Sequence, residues 1–405
     1  MAQNPATLLV ATILIFAPGH IAHAADGVAP IADDNADYLR ICSVFGAGFI
    51  SIPGTQTCLK TSGYIRYQYN YAGSPAVNTE GDDYQISPTA RARLNFDVRE
   101  PTDLGTLRAF VQLQAQSDGS GNPDGFIMKQ AYMQLGGFLA GYTDTLWASE
   151  TGGIEDGLPT DNSLAVGDVN TNQINYTFSH DGFSLTLGLE DSERGSFSAI
   201  PQAKLAYSGT WGAAYLAAVY DESFDADDLA FARFLPGIQT DILSRHGEAV
   251  AVKAGLRLDS LLSHDSTIKI DGHWASDPTS YATISGFTTA PGVLPNNPTL
   301  KDPRPGAVPL VLEWSIGAGF SQKIDRLTLA AAGRYGKTFD YGFFAPGAAA
   351  LNYEKGQYWA LVGDIGYDLT TNMSVLAEVT YTNVDFTGIA ASDQTSGLLR
   401  FERSF

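Results

Sequence analysis

Over residues 90–99 every even position is apolar (Ala90, Ala92, Leu94, Phe96, Val98) and every odd one is polar (Arg91, Arg93, Asn95, Asp97, Arg99). A period of two puts successive side chains on opposite faces of a strand, so the stretch reads as a β-strand with one apolar and one wetted face. The pattern returns at 107–115, 183–190, 211–220, 249–259, 267–274, 312–321, 327–335, 358–367 and 373–381. Weaker copies lie at 59–71, 126–135, 138–142, 172–178, 202–208 and 397–405, which brings the count to 16. A soluble sheet alternates in this way locally. Alternation around the whole chain is what strands need when hydrocarbon lies on one side and water on the other. Past the N-terminus no run approaches the roughly 20 consecutive apolar residues of a membrane-spanning helix.

The connections point the same way. Short turns at 100–104, 179–182, 208–210, 322–325 and 368–372 alternate with long loops near 72–88, 116–125, 143–171, 191–200, 221–248, 275–310, 336–356 and 382–396. A sandwich has no reason to sort loop length by parity, whereas a transmembrane barrel keeps its short turns on one side of the membrane. The sixth loop, with Pro278, Pro291, Pro295, Pro298, Pro303, Pro305 and Pro309, is expected to be stiff and extended. Tyr67, Tyr69, Tyr71, Tyr215, Tyr220, Tyr335, Tyr358, Trp359, Tyr367 and Tyr381 sit toward strand ends, where rings form interfacial girdles. The chain stops on Phe405 inside the final strand, an expected terminal assembly signal. The fold class predicted is all-β: a 16-stranded antiparallel transmembrane β-barrel with long extracellular loops.

The 405 residues carry 44 acids against 24 bases, a net charge of -20. Such a surface repels nucleic acid, whose phosphates require clustered Lys and Arg. Residues 6–18 form an apolar run of signal-peptide length, and Ala22-His23-Ala24 supplies a small-residue cleavage pattern, although no Lys or Arg precedes the run. Cleavage is expected after Ala24, giving a signal peptide over 1–24, an N-terminal segment over 25–58 and a barrel over 59–405. Export places Cys42 and Cys58 in an oxidising compartment, where an isolated pair 16 positions apart is expected to form a disulfide.

Residues 42–66, CSVFGAGFISIPGTQTCLKTSGYIR, closely resemble a block of the alphaproteobacterial porins of rhizobial type, C-x-x-Y-G-A-G-[FY]-x-x-I-P-G-T-x-T-C-L-[KR]-x-x-G-Y-[VI]-R, with Phe45 at the tyrosine position. Residues 131–138, AYMQLGGF, and 400–405, RFERSF, are similar to two further segments of that family. The resemblance implies trimers of 16-stranded outer-membrane barrels whose third loop, about 143–171, folds inward, and passive diffusion of small hydrophilic solutes. It also implies outer-membrane lipid, lipopolysaccharide and the outer-membrane assembly machinery as partners, with no cofactor and no metal.

Alternation places Arg66, Arg91, Arg93 and Arg108 on lumen-facing positions of the first three strands. No Lys or Arg lies between Lys129 and Arg194, while the third loop carries Asp144, Glu150, Glu155, Asp156, Asp161 and Asp168. With the loop inside the barrel, acids would oppose arginines across a narrow aqueous gap and set up a transverse field. Two alternatives stay open: Arg108 pairs with Asp97 across its hairpin, or the loop acids are a solvated surface. Asp221, Glu222, Asp225, Asp227 and Asp228 lack ordered cation-ligand spacing and read as a solvated acidic loop. A hydrolase needs a nucleophile beside a base; His180, His246 and His264 fall in turns or loops, His273 is on a strand, and no G-x-S-x-G occurs. The negative balance predicts a weakly cation-selective pore, against the alternatives of a substrate-specific channel or an adhesin acting through its loops.

Overall fold

The structure, a computed structural model, describes residues 41–78, 80–117, 125–192, 198–222, 248–288, 307–344, 351–386 and 392–405. The expected signal peptide and its cleavage site, Asp225, Asp227, Asp228, His246 and most of the Pro-rich stretch lie outside the described residues.

Sixteen strands pair antiparallel in sequence order. They are β1 Cys58–Gly73, β2 Tyr84–Thr102, β3 Gly105–Ser117, β4 Ile127–Leu135, β5 Phe138–Asp144, β6 Asn170–His180, β7 Phe183–Asp191 and β8 Ala199–Gly209. They continue as β9 Gly212–Asp221, β10 Ala249–Asp259, β11 Ser266–Ala275, β12 Ala307–Ile324, β13 Leu327–Phe344, β14 Leu351–Thr370, β15 Met373–Phe386 and β16 Ser392–Ser404. The barrel closes where β16 pairs with β1, with Leu399 opposite Tyr69, and closure leaves no exposed sheet edge. Phe405 extends the seam: its N–H donates to Gly63 O and its carbonyl accepts from Gly63 N, both at 3.0 Å. Two short extra strands, Ile50–Ser51 and Thr283–Thr288, hydrogen-bond to β1 and β12.

Side chains obey the sequence parity. Ile65, Ile174, Leu187, Leu216, Ile316, Leu361 and Ile365 project outward, exposed in the isolated chain where lipid would cover them. Inward positions hold polar groups, among them Gln173, Thr186, Lys253, Asp271, Arg334 and Thr380.

Two expectations need correction. Tyr215 and Tyr358 are not girdle residues; both point inward and are buried, packed in the cluster that holds the third loop. The seventh and eighth long loops are mostly strand, since β13 and β14 pair out to Phe344 and Leu351, and β15 reaches Phe386. Above the membrane both faces are wet, so the apolar contrast that marks a strand in sequence fades while backbone pairing continues.

Candidate functional site: the lumen and its third loop

Between β5 and β6, residues 145–169 turn into the barrel and lie along one wall. Leu146, Trp147, Ile154, Leu158, Leu164 and Val166 are buried, several of them clustered with Tyr215, Ala217, Ala251, Leu312, Ala332 and Tyr358 from the inner faces of β9–β14. Burying a large apolar side chain contributes about 1.5–3 kcal/mol, so this row alone favours a docked loop. Close approach also selects glycine. At Gly167, with φ +71, an added Cβ would stand 2.4 Å from Tyr281 O, and its N–H donates to Thr283 O at 2.8 Å.

Polar clamps fix the loop at its root, middle and tip. At the root, the buried Glu190 carboxylate accepts from Thr145 Oγ1, Leu146 N and Tyr281 Oη, each at 2.8 Å. The middle is tied to three lysines: Lys204 donates to Ser149 O and Ile154 O, Lys269 to Asp156 O, and Lys253 to Val166 O at 3.0 Å. Lys253 also pairs with the Asp156 carboxylate at 2.8 Å and sits 4.5 Å from the centre of the Trp147 ring. Burial by itself would raise the Asp156 carboxyl, but the Lys253 charge beside it outweighs burial and holds it below the usual carboxylate range. Beneath this pair lies a second, Arg334 with Asp271, completed by Ser315 and His273. At the tip, the N–H groups of Asp161 and Asn162 donate to Asp364 and Glu378 at 2.6 and 2.7 Å, and the Asp161 carboxylate pairs with Arg400.

The acids named from the sequence therefore divide. Asp156 faces the wall and is consumed by Lys253, which corrects its assignment to the open gap; a buried carboxylate must be paired. Asp161 reaches across to β16. Glu150, Glu155 and Asp168 are exposed on the loop's free face, and Asp144, at the end of β5, accepts from Gln130 at 2.9 Å. Asp168 is raised above the usual carboxylate range by its low-dielectric surroundings and by the negative charge of Asp144.

Across the remaining lumen stand the arginines. Arg66 and Arg91 are register partners; Arg66 pairs with Glu402 at 2.7 Å, Arg91 donates to Gln116, and Arg93 donates to Gln114 at 2.6 Å. All three are half-buried, and the Arg66 and Arg93 guanidiniums lie over the Tyr64 ring. Arg108 does not join them at mid-height. It is three residues from Gly105 at the short-turn end and is bound with Arg99 to Asp97, at 2.9 and 3.0 Å. Lumen-facing parity says nothing about height, so it puts Arg108 farther from the turn than it stands.

Near that end the Cys42–Cys58 disulfide spans a 6.0 Å Cα separation and closes a small hairpin, with Phe49 buried beneath it against Lys60 and Arg99. Among the acids of the fifth loop, Asp221 is buried and accepts from Thr279 at 2.6 Å, so it is not part of a solvated surface.

Sequence reasoning missed the second basic wall: Lys204, Lys253, Lys269 and Arg334, with Glu190 and Tyr281. The signal was present, because each of those four bases occupies an inward parity position of its strand.

Among proteins similar to this chain, the porin Omp2b of Brucella suis is 33% identical over 198 residues, 46% of this chain and 52% of its own length. The chain thus spans about half the length of that relative. The outer membrane channel DcaP of Acinetobacter baumannii superposes with a TM-score of 0.60 at 14% identity, covering 86% of this chain and 97% of the other. OmpT of Vibrio cholerae in its trimer form gives 0.50 at 13% identity, with 87% and 100% covered. Residues 29–399 match the profile of a porin subfamily, and with the closed barrel and inward loop in hand the conclusion is that the chain belongs to that family of outer-membrane β-barrels.

Proposed function

We propose that the chain forms a water-filled channel for passive diffusion of small hydrophilic solutes and ions across the outer membrane. The observation that carries this is the docking of the third loop along the inner faces of β7–β16, with its exposed acids on the side away from that wall and the half-buried arginines of β1 and β2 outside its clamps, an arrangement that supports an aqueous passage between them. The constriction is then formed by Arg66, Arg91 and Arg93 on one side and Asp144, Glu150, Glu155 and Asp168 on the other, with Asp161 neutralised by Arg400 beside β1. An excess of acid around the mouth concentrates cations, while the arginines oppose this inside, so the preference is for cations and is weak. Screening limits the reach of those charges to about 10 Å at 0.1 M salt.

The same reading includes export by residues 1–24 with cleavage after Ala24, and recognition of Phe405 by the assembly machinery. The apolar outer belt would contact lipid and lipopolysaccharide, and three copies assemble as in the trimer form of OmpT. Reconstitution of the purified chain in a planar bilayer tests the reading: ohmic conductance with a small cation-directed reversal potential is expected, and a barrel that conducts no ions contradicts it. Release of a monomer-sized, heat-modifiable band without boiling would count against the trimer.

A further inference from the structure

Two separate segments share one edge of β1 at the seam where the barrel closes. β16 pairs with β1 from Ala72 down to Tyr64, and Phe405 carries the pairing one step further to Gly63. Below that point the edge is taken by the disulfide hairpin: Ile50 stands opposite Leu59, and Ile52 N donates to Thr57 O at 2.9 Å. Thr57, Leu59 and Gly63 share one parity, so their backbone groups leave β1 on the same side. Both segments are antiparallel to β1, so the hairpin strand follows β16 in line along that edge.

Alternation cannot fix this seam. A slip of one residue would turn every side chain to the wrong face, but a slip of two leaves each on its own face. Slipped by two toward the short-turn end, Phe401 would leave Tyr67 for Ile65, and Arg400 would leave Gln68 for Arg66. That move of about 7 Å would draw Arg400 away from Asp161 and free the tip of the third loop. The pairs that favour the observed register, Arg66 with Glu402 and Arg400 with Gln68, are partly exposed and discriminate weakly. The hairpin adds a steric obstruction. Continued one residue, its register puts Phe49 opposite Lys60, and Gly48, with φ +87, turns the chain there against the Lys60 side chain. Phe405 opposite Thr61 would meet Phe49 end to end, and opposite Leu59 it would need the place that Ile50 holds. The obstruction is itself anchored: Cys42 and Cys58 close its base, Phe49 is buried beside Lys60 and Arg99, and Thr57 Oγ1 donates to Glu100 of β2 at 3.2 Å.

We propose that the disulfide hairpin is the register stop of the barrel seam: it keeps β16 from sliding along β1 and so sets where Arg400 meets the third loop. The test maps the seam in the full chain folded in lipid. Ile65→Cys, Tyr67→Cys and Phe401→Cys, all on the outward face, are introduced together so that position 401 chooses its partner on oxidation with copper phenanthroline, and the link is located by mass spectrometry. With Cys42 and Cys58 joined, the link to position 67 is expected to dominate. Adding Cys42→Ser and Cys58→Ser should raise the ratio of 65 links to 67 links about tenfold or more, within the roughly hundredfold that a disulfide closing a loop of this length is worth. Glu402→Gln with the disulfide kept should leave the ratio unchanged. An unchanged ratio without the disulfide would overturn the register stop, and a slip caused by Glu402→Gln alone would give the register to the ion pair instead. Should the serine variant fail to close, phosphine reduction of the folded parent provides a second readout: hydrogen exchange at the Leu59, Gly63 and Phe405 amides should rise about tenfold or more, with β7 unchanged. Seam amides that exchange as slowly after reduction as before would overturn the proposal.

Discussion

Two walls of the same lumen carry basic side chains and use them in opposite ways. On β10–β13, Lys253 and Arg334 are almost fully buried, and each is neutralised by one carboxylate, Asp156 and Asp271. On β1–β2, Arg66, Arg91 and Arg93 keep part of their surface open, and two of the three bond to neutral glutamines. The first set is structural, because a buried charge spends its field on its partner; the second acts on whatever passes, because its field reaches water. Loop 3 creates the difference by covering one wall and leaving the other bare.

The largest effect should come from breaking the covered wall. Lys253→Met leaves the buried Asp156 carboxylate without its cationic partner, a loss of about 3–5 kcal/mol, and should release the loop so that single-channel conductance rises and thermal stability falls. Replacing both members, Lys253→Met with Asp156→Leu, should restore conductance toward the parent value. If the single variant conducts like the parent, the pair does not hold the loop.

The bare wall should respond in selectivity and not in size. A unit charge about 7 Å from the ion path in water is worth about 0.6 kcal/mol, close to threefold in relative occupancy. Arg66→Gln, Arg91→Gln and Arg93→Gln together should therefore strengthen cation preference severalfold, read as reversal potential in a salt gradient, and the shift should shrink as salt rises.

Acid separates the two faces of the loop. Asp168, raised above the usual range, loses its charge first as pH falls. Asp156 is held low, so its contribution to docking is complete above about pH 4 and is lost only as pH falls through its own lower value. Cation preference should weaken on acidification before conductance rises, and the reverse order would contradict the assignment. The smallest change is expected at Arg108→Gln, since Arg99 still satisfies Asp97 near the short-turn end; a reversal-potential shift as large as that of Arg93→Gln would place Arg108 in the gap after all.

How much of this was legible in advance follows from what period-two alternation encodes. It records which face of the sheet a residue occupies, so all 16 strands and the inward arginines could be read from residues such as Arg91 and Leu94. It does not record height, which is why Arg108 was placed with Arg66. Nor does it say what covers an inward face, and so Tyr215 and Tyr358 resembled girdle residues. The loop has no such period. Glu155 and Asp156 are adjacent acids, and only the wall behind the loop, built from Lys253 more than ninety positions later, decides which of them is buried. The strand arms beyond Tyr335 escaped notice because the lipid contrast that marks a strand ends at the membrane surface.

Those two neighbours give the most direct test of the account, through single-channel recording in a salt gradient on Glu155→Gln and Asp156→Asn. Each substitution removes one negative charge, one position apart. The account predicts that Glu155→Gln shifts the reversal potential toward anions at unchanged conductance, and that Asp156→Asn raises conductance by stranding Lys253 and loosening the loop. Equal effects from the two variants would contradict it, because charge alone, and not the face of the loop on which it stands, would then govern the pore.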